Sequence, residues 1–210
     1  MQEPDNKAQA GASTLVSAPG PESYRMGIAK PAKGAGGLLL YLDYDGVLHH
    51  ENVLWHPKRG AYLAATPEYR LFQHAPLLEQ LLAPYPQIRI VLSTAWARVY
   101  GCSAAAKRLP PALRNRVIGA TFHSRMHESE FLSQSRGMQV WADVVRRKPR
   151  DWLALDDDTL DWPHWCHNKL IATHETEGIA DPGVTQQIEQ RLRDMAGHAT
   201  PPQSPPQGHP

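Results

Sequence analysis

The sequence predicts an α/β fold with a central parallel sheet, and two observations support this prediction. Short, almost continuously apolar segments alternate with segments of helical period along the middle of the chain, which is typical of parallel strands covered on both faces. Three of the five apolar segments also end in an aspartate or a serine. In open parallel sheets ligands bind beyond the carboxyl ends of the strands, so the same pattern indicates where a functional site lies.

Five apolar segments are expected to form the strands of this sheet. The first runs from Leu38 to Leu42 without a polar residue and leads into Asp43, as expected of a strand buried on both faces. The second and fourth lead into Ser93 and Asp156. The predicted strands are residues 38–43, 88–93, 117–121, 152–156 and 169–173.

Helical periodicity predicts the segments between the strands. One helix runs from Pro76 to Leu82, since proline is tolerated in the first helical turn. A less regular pattern predicts a helix over 96–109, and two amphipathic patterns predict helices further along the chain. Their apolar positions are Met138, Trp141, Val144 and Val145, followed by Pro149, and then Val184, Ile188, Leu192 and Met195.

Composition predicts one folded domain between two tails. The chain has 210 residues, of which 41% are hydrophobic and 20% charged, and this is enough for one packed core. Residues 1–36 are rich in Gly, Ala, Ser and Pro and are expected to form a disordered leader. Residues 198–210 are expected to form a proline-rich disordered tail, which leaves 37–197 as the folded domain.

Charge and targeting signals narrow the class of protein. The formal net charge of +1 gives no general argument for a nucleic-acid or membrane partner. The sequence shows neither a secretory signal nor an apolar run that could span a bilayer, and its two cysteines fit a reducing compartment, so a cytoplasmic location is expected. The stretch between Glu79 and Glu128 has basic but no acidic residues. We interpret it as a solvated face, and a positive surface beside a site for a phosphorylated substrate is the alternative.

Asp43 and Asp45 are the first candidate catalytic pair. Residues two apart on an extended chain point the same way, so both carboxylates can face one cavity, and Gly46 then lets the chain turn sharply. Two neighbouring carboxylates repel each other, and a cation or a retained proton relieves that repulsion. The pair therefore suits a nucleophile beside a proton donor, while an ordinary Asp-Gly turn after a strand is the structural alternative.

Two further strand ends add possible ligands. Asp156, Asp157 and Asp158 follow the fourth predicted strand, with Asp161 shortly after. Mg²⁺ prefers oxygen ligands and typically takes only one or two carboxylates, so Asp43 with one of these aspartates would suffice. Ser93 and Thr94 follow the second strand and offer hydroxyl and backbone donors to a phosphoryl oxygen.

This set of motifs resembles the haloacid-dehalogenase (HAD) superfamily. The resemblance covers roughly residues 37–195 and rests on an apolar strand into Asp-x-Asp-Gly, a strand into Ser, a basic residue opening a helix, and a strand into paired aspartates. The segments 41–49, 91–96 and 153–157 are similar to the branch found in Swiss Army Knife RNA repair proteins. The resemblance implies a Rossmannoid three-layer sandwich with a central parallel sheet.

The resemblance also implies a mechanism and a cofactor. Asp43 would attack phosphorus and form an aspartyl-phosphate, and Asp45 would protonate the leaving oxygen and then activate water. Ser93 and Thr94 would hold phosphoryl oxygens. Mg²⁺ would be bound by the Asp43 carboxylate, the Asp45 backbone carbonyl, and Asp156 or Asp157.

The basic residue of the third motif departs from the family pattern, in which a lysine is usual. Arg136 is expected to open a helix on the side of the site, whereas Lys148 ends that helix at the opposite edge of the sheet. We therefore predict that Arg136 binds phosphate, since a guanidinium can grip phosphate with two hydrogen bonds. An exposed helix arginine is the alternative, in which case Arg98 or Lys148 would supply the cation.

The spacing of the motifs leaves no room for a full cap domain. About 40 residues separate the first motif from the second strand, and fewer than 20 separate the third strand from Arg136. The stretch from Gly46 to Tyr69 is expected to form only a small hairpin flap, lined by His49 and His50, while Trp96 is interpreted as a core residue. By analogy with the family, a capless site favours large phosphorylated substrates such as nucleic-acid ends.

Two rival functions follow from the same residues. One is a phosphate-binding or scaffold module that kept the fold without turnover, and the replaced lysine favours it. The other is an accessory processing domain that acts beside a ligase or kinase partner in an RNA repair system. The intact Asp43, Asp45, Ser93 and Asp156-Asp157 favour a magnesium-dependent phosphatase over the first rival.

Overall fold

A computed structural model describes residues 31–197 of the chain. Five parallel strands form the central sheet, in the order β5-β4-β1-β6-β7, and β2 and β3 form a separate antiparallel hairpin. The predicted parallel α/β fold is confirmed. In chain order the strands are β1 Leu38–Leu42, β2 Val53–His56, β3 Gly60–Leu63, β4 Ile88–Leu92, β5 Val117–Ala120, β6 Asp151–Asp156 and β7 Leu170–Ala172.

Helices connect the strands and cover both faces of the sheet. The predicted helix over 96–109 is instead two short helices, α2 (Ala95–Tyr100) and α3 (Cys102–Ala106), because Gly101 between them has a φ of 83°, outside the helical region. A 3₁₀ helix, His164–Lys169, precedes β7. The α-helices are α1 Ala75–Leu82, α2 Ala95–Tyr100, α3 Cys102–Ala106, α4 Pro111–Arg114, α5 Glu128–Leu132, α6 Arg136–Arg147 and α7 Pro182–Gly197.

Strand β1 lies at the centre of the sheet and is buried on both faces. Its alternate residues belong to two hydrophobic clusters: Leu38, Leu40 and Leu42 pack with α1 and α7, whereas Leu39 and Tyr41 pack with α6. Every residue of β1 is at most 1% exposed. This explains why its sequence is apolar throughout rather than alternating, and it gives the three-layer sandwich that the family resemblance implied.

The ends of the predicted domain are only partly covered by the described residues. Residues 1–30 of the predicted leader and residues 198–210 of the predicted tail lie outside them, so both assignments stay predictions. Residues 32–37 form turns, in which the Gly36 amide donates to the Lys148 carbonyl at 3.0 Å. Among residues 31–197, no helix is long and apolar enough to cross a membrane.

A buried ion pair fixes α6 against the sheet. Asp143 accepts hydrogen bonds from the Tyr41 hydroxyl and from Arg147 Nε, and the side chains of Asp143 and Arg147 are 2% and 4% exposed. Burial, followed by the nearby Asp143 charge, raises the pKa of Tyr41, so the phenol stays protonated and donates. Both charged groups are therefore buried between α6 and the sheet.

We expect Asp143→Ala to lower the free energy of unfolding by about 3–5 kcal/mol, because Arg147 would keep its charge in a buried position without a carboxylate partner. Urea unfolding followed by circular dichroism would measure this change. Glu189→Ala is the matched control, since it breaks an exposed helix pair with Arg193 at 3.8 Å and should change stability by less than about 1 kcal/mol. Equal effects of the two substitutions would contradict the prediction.

Candidate active site

Three neighbouring strands bring the predicted site residues to one edge of the sheet. Strand β1 lies between β4 and β6, and the residues that end or follow these strands are Asp43, Ser93 and Asp156. The Ser93 amide donates to the Leu42 carbonyl at 2.8 Å, which continues the sheet register past the strand ends. All three side chains belong to residues no more than 3% exposed, so the strands deliver polar groups into a buried position.

Three carboxylates form the centre of this site. Asp43, Asp156 and Asp157 each offer an oxygen, and these oxygens all lie within 4.8 Å of one another. The structure thus brings together the first aspartate of the Asp-x-Asp motif and two aspartates of the acidic turn. Asp158 accepts a hydrogen bond from the Leu160 amide instead, and the Asp161 carbonyl accepts one from Ser135. Those two residues shape the turn.

Gly46 allows the two acidic motifs to approach each other. Its φ is +65°, a conformation that favours glycine, and a Cβ at this position would lie 2.1 Å from an Asp157 carboxylate oxygen. Any side chain at residue 46 would therefore displace Asp157 from the carboxylate cluster. The glycine of the Asp-x-Asp-Gly motif is required here for space as well as for backbone conformation.

The carboxylate cluster fits a small divalent cation. Asp156 Oδ2 and Ser93 Oγ are buried and have no hydrogen-bond partner among the described residues, although buried polar atoms normally have one. Magnesium takes oxygen ligands in octahedral geometry, with opposite ligands about 4 Å apart. The three carboxylate oxygens lie within 4.8 Å of one another, close enough to serve one such ion. Asp43, Asp156 and Asp157 are therefore the residues that would hold the ion.

Arg136 joins this cluster as the positive group. It is the first residue of α6, where Ser135 caps the helix by accepting from the Met138 amide at 3.4 Å. Its Nη2 donates to Asp43 Oδ2 at 2.9 Å, its Nη1 donates to the Ser93 carbonyl at 2.6 Å, and its Nε lies 3.4 Å from Asp156 Oδ2. The guanidinium thus touches the end of each of the three central strands.

The two other cations considered from the sequence lie outside the carboxylate cluster, although Arg98 lines the same cavity as Arg136. Lys148 caps the carboxyl end of α6, where its backbone amide donates to the Val144 carbonyl. Arg98 forms an ion pair with Glu128 at 2.6 Å, and the Glu128 side chain is 55% exposed. Neither residue contacts the carboxylate cluster, so Arg136 is the cation that the fold places there.

Burial and mutual repulsion govern the charges of the cluster. Burial raises the pKa of Asp43 and, more strongly, of Asp156, while Arg136 opposes both shifts. Burial and the nearby Asp43 raise the pKa of Asp157 to about 6. Burial by itself lowers the pKa of Arg136, but Asp43 and Asp156 outweigh it and raise that pKa. A bound divalent cation would relieve the repulsion that Arg136 alone only partly offsets.

The Asp45 carboxylate is not one of the three clustered carboxylates and has its own partners. Its carboxylate accepts hydrogen bonds from Trp96 Nε1 at 2.9 and 3.1 Å, and it lies 2.9 Å from His49 Nε2. The Phe72 amide donates to His49 Nδ1 at 3.2 Å. Because Nδ1 accepts, the ring proton lies on Nε2 and His49 donates to Asp45.

Trp96 and His49 are the site residues whose role the sequence did not reveal. Trp96 is only 3% exposed, which agrees with its interpretation as a core residue. Its indole nitrogen also donates a hydrogen bond to Asp45. His49 is fully buried rather than lining an open flap. Its position four residues after Asp45 was the available signal, because a turn after the motif brings the two side chains together.

The two hydroxyls after β4 differ in their availability. Thr94 is the N-cap of α2 and accepts from the Trp96 amide at 3.4 Å, and a hydrogen bond from its side chain lowers the pKa of Asp43. The Ser93 hydroxyl has no partner among the described residues. Ser93 is therefore the hydroxyl that remains for a ligand, whereas Thr94 is engaged in the fold and with Asp43.

A family comparison agrees with this geometry. A family model described as the HAD domain in Swiss Army Knife RNA repair proteins matches residues 39–184, a range that contains the whole carboxylate cluster and Arg136. No curated protein and no solved structure matches the chain.

Proposed function

The chain belongs to the family of HAD domains found in Swiss Army Knife RNA repair proteins, and from this premise we propose that it is a magnesium-dependent phosphohydrolase acting on phosphate monoesters. The observation that carries the proposal is that Arg136 donates a hydrogen bond to the Asp43 carboxylate, while the nearby Ser93 hydroxyl has no partner among the described residues. A carboxylate can attack phosphorus, and a guanidinium and a free hydroxyl can bind the oxygens of a transferring phosphoryl group.

In the first step an Asp43 carboxylate oxygen attacks phosphorus, and the bond from phosphorus to the leaving oxygen breaks. Asp45 gives its proton to that oxygen, which departs as an alcohol. Asp43 has one oxygen held by the Tyr44 amide at 2.7 Å and the other by Arg136, so its carboxylate is fixed in orientation. Arg136 and Ser93 bind the equatorial phosphoryl oxygens, where negative charge accumulates.

In the second step water attacks the phosphorus of the aspartyl-phosphate. Asp45, now deprotonated, takes a proton from the water, and the bond from phosphorus to the Asp43 oxygen breaks to release phosphate. Asp43, Asp156 and Asp157 would hold a Mg²⁺ ion, which would supply positive charge against the phosphoryl oxygens. Trp96 and His49 hold the Asp45 carboxylate in position through their N–H groups.

The proposed substrate is a phosphorylated nucleic-acid end. Between Gly46 and Tyr69 the chain forms only the hairpin β2–β3, and this small flap leaves the site open to a large substrate. The description of the family as RNA repair proteins supports the same class. An RNA repair system, in which the domain prepares ends for a partner enzyme, is the setting we propose.

A phosphate-binding module without turnover is the second candidate. The observation that favours it is the ion pair of Asp43 with Arg136, in which the arginine replaces the usual lysine of the family and engages the nucleophile directly at 2.9 Å. The experiment below separates the two functions, since the module would bind phosphorylated ends without releasing phosphate.

Removal of divalent metal is expected to abolish phosphate release. With EDTA, release should fall more than about 100-fold, because an ion at the carboxylate cluster supplies several kcal/mol of transition-state stabilisation. Added Mg²⁺ should restore it, whereas Ca²⁺, which takes more ligands at longer distances, should restore little. The substrates are an aryl phosphate and oligonucleotides phosphorylated at the 5′ or the 3′ end, and release is measured colorimetrically.

Circular dichroism of the EDTA-treated protein provides the control for folding. Release that persists undiminished in EDTA would remove the metal from the proposal. If the folded protein releases no phosphate from any substrate but still binds the phosphorylated oligonucleotides, the binding module is the correct function.

A further inference from the structure

An apolar cleft lies directly beside Asp45, between the β2–β3 hairpin and α2. Its volume is about 170 Å³, and its lining includes Leu54 and Trp55 from the hairpin and Trp96, Val99 and Tyr100 from α2. Asp45 is the one charged residue among the described residues that line it. The proposed proton donor is therefore part of the lining of a mostly apolar cleft.

The walls of this cleft expose large apolar side chains to solvent. Leu54, Trp55 and Val99 are 47%, 58% and 56% exposed, although side chains of this type commonly pack into a hydrophobic core. A contiguous group of exposed apolar residues marks a binding surface more often than scattered ones do. Enclosed pockets for whole ligands span roughly 300–1,000 Å³, so this cleft has room for one part of a substrate.

The chemistry of the proposed reaction fixes which part of the substrate enters the cleft. Asp43 attacks phosphorus in line with the leaving oxygen, which must lie opposite the nucleophile. Asp45 gives that oxygen its proton, so the leaving oxygen faces Asp45. Since Asp45 also lines the cleft, the group attached to the leaving oxygen extends into it.

We propose that the cleft binds the base of the terminal nucleoside of a phosphorylated nucleotide or nucleic-acid end, stacked on the Trp55 indole. This inference rests on the proposed function for the direction of the leaving group. A planar base suits a wall of indole and aliphatic side chains, and stacking on an aromatic ring does not depend on which base is present.

The charges of the hairpin favour this occupant. Lys58 and Arg59 lie in the turn between β2 and β3, and the Arg59 guanidinium lies 5.0 Å from the centre of the Tyr62 ring. Both cations are exposed and follow the exposed Trp55 by three and four residues, which suits a chain whose bases stack while its phosphates stay in water. An aliphatic chain would use the apolar wall but would offer no phosphate to these cations.

The test is a comparison of binding to base-bearing and abasic ends. In an Asp43→Asn background, which prevents turnover, Trp55→Ala should weaken binding of a terminally phosphorylated oligonucleotide about tenfold, because stacking contributes on that scale. Binding of the same oligonucleotide with an abasic terminal nucleotide should change less than about twofold. Fluorescence anisotropy with a label at the far end measures both, and a nucleoside monophosphate as competitor shows whether a single nucleotide suffices.

Trp165→Ala is the matched control, because Trp165 is similarly exposed at 52% but lies on the 3₁₀ helix before β7. It should leave both affinities unchanged. Equal effects of Trp55→Ala on the two oligonucleotides, or no effect on either, would overturn the assignment of the cleft. Base-dependent binding through Trp55 in a wild-type protein that releases no phosphate would support the cleft and count against the proposed hydrolysis.

Discussion

Asp43→Asn is expected to reduce phosphate release by at least about 10⁴-fold, which is the scale of effect when a covalent nucleophile is removed. The amide is uncharged and cannot form the acyl-phosphate bond. It also has one acceptor oxygen, whereas the Asp43 carboxylate accepts from the Tyr44 amide and from Arg136 with two. The substitution therefore removes the nucleophile and one of its two fixed contacts.

Two measurements would check this expectation. Initial rates of phosphate release give the loss of turnover, and transfer of labelled phosphate from substrate to protein gives the covalent intermediate directly. The wild type should retain acid-stable label and Asp43→Asn should retain none. Labelling that survives the substitution would assign the nucleophile to another residue.

Asp151→Asn is the control for this variant. Asp151 begins β6 at the end of the strand opposite Asp156 and pairs with Lys169 near the surface. Its conversion to an amide should leave the rate of phosphate release within about twofold, because this half-buried pair lies at the other end of β6 and does not reach the site. A similar loss of activity in both variants would indicate damage to the sheet rather than loss of a nucleophile.

The sheet and the carboxylate cluster could be predicted from the sequence because both follow from the geometry of parallel strands. An apolar run such as Leu38–Leu42 is buried on both faces only at the centre of a covered sheet, and the residue after each parallel strand reaches the same edge. The same reasoning located Arg136, because a helix that returns the chain from the site's edge starts there. The contacts of Arg136 with Asp43 and the Ser93 carbonyl agree with that reasoning.

The hydrogen-bond partners of Asp45 could not be predicted in the same way. Trp96 and His49 reach its carboxylate from α2 and from the turn after the motif. These contacts depend on how α2 packs, and on the Phe72 backbone, whose positive φ of 60° brings its amide to His49. A buried tryptophan has no sequence signature that distinguishes a packing role from a hydrogen-bonding one. The break between α2 and α3 at Gly101 was similarly hidden by apolar residues on both sides of it.

Arg136→Ala is expected to lower kcat/KM by about 10³-fold, since removing a positive group that stabilises a transferring phosphoryl group has effects of this order. The loss has two sources. The guanidinium would no longer bind phosphoryl oxygens, and Asp43 and Asp156 would lose the cation that lies 2.9 and 3.4 Å from them. Added guanidinium ion should restore part of the activity, because it can occupy the space left by the side chain.

Arg136→Lys distinguishes charge from geometry at this position. A lysine keeps the charge but cannot donate in several fixed directions, whereas Arg136 contacts Asp43, Asp156 and the Ser93 carbonyl at once. We therefore expect a rate between those of the wild type and Arg136→Ala, and Lys148→Gln, at the far end of α6, to leave the rate unchanged. Wild-type turnover in Arg136→Lys would show that charge alone suffices. Wild-type turnover in Arg136→Ala would restrict the guanidinium to neutralising the buried carboxylates and would leave phosphoryl binding to Ser93 and the metal.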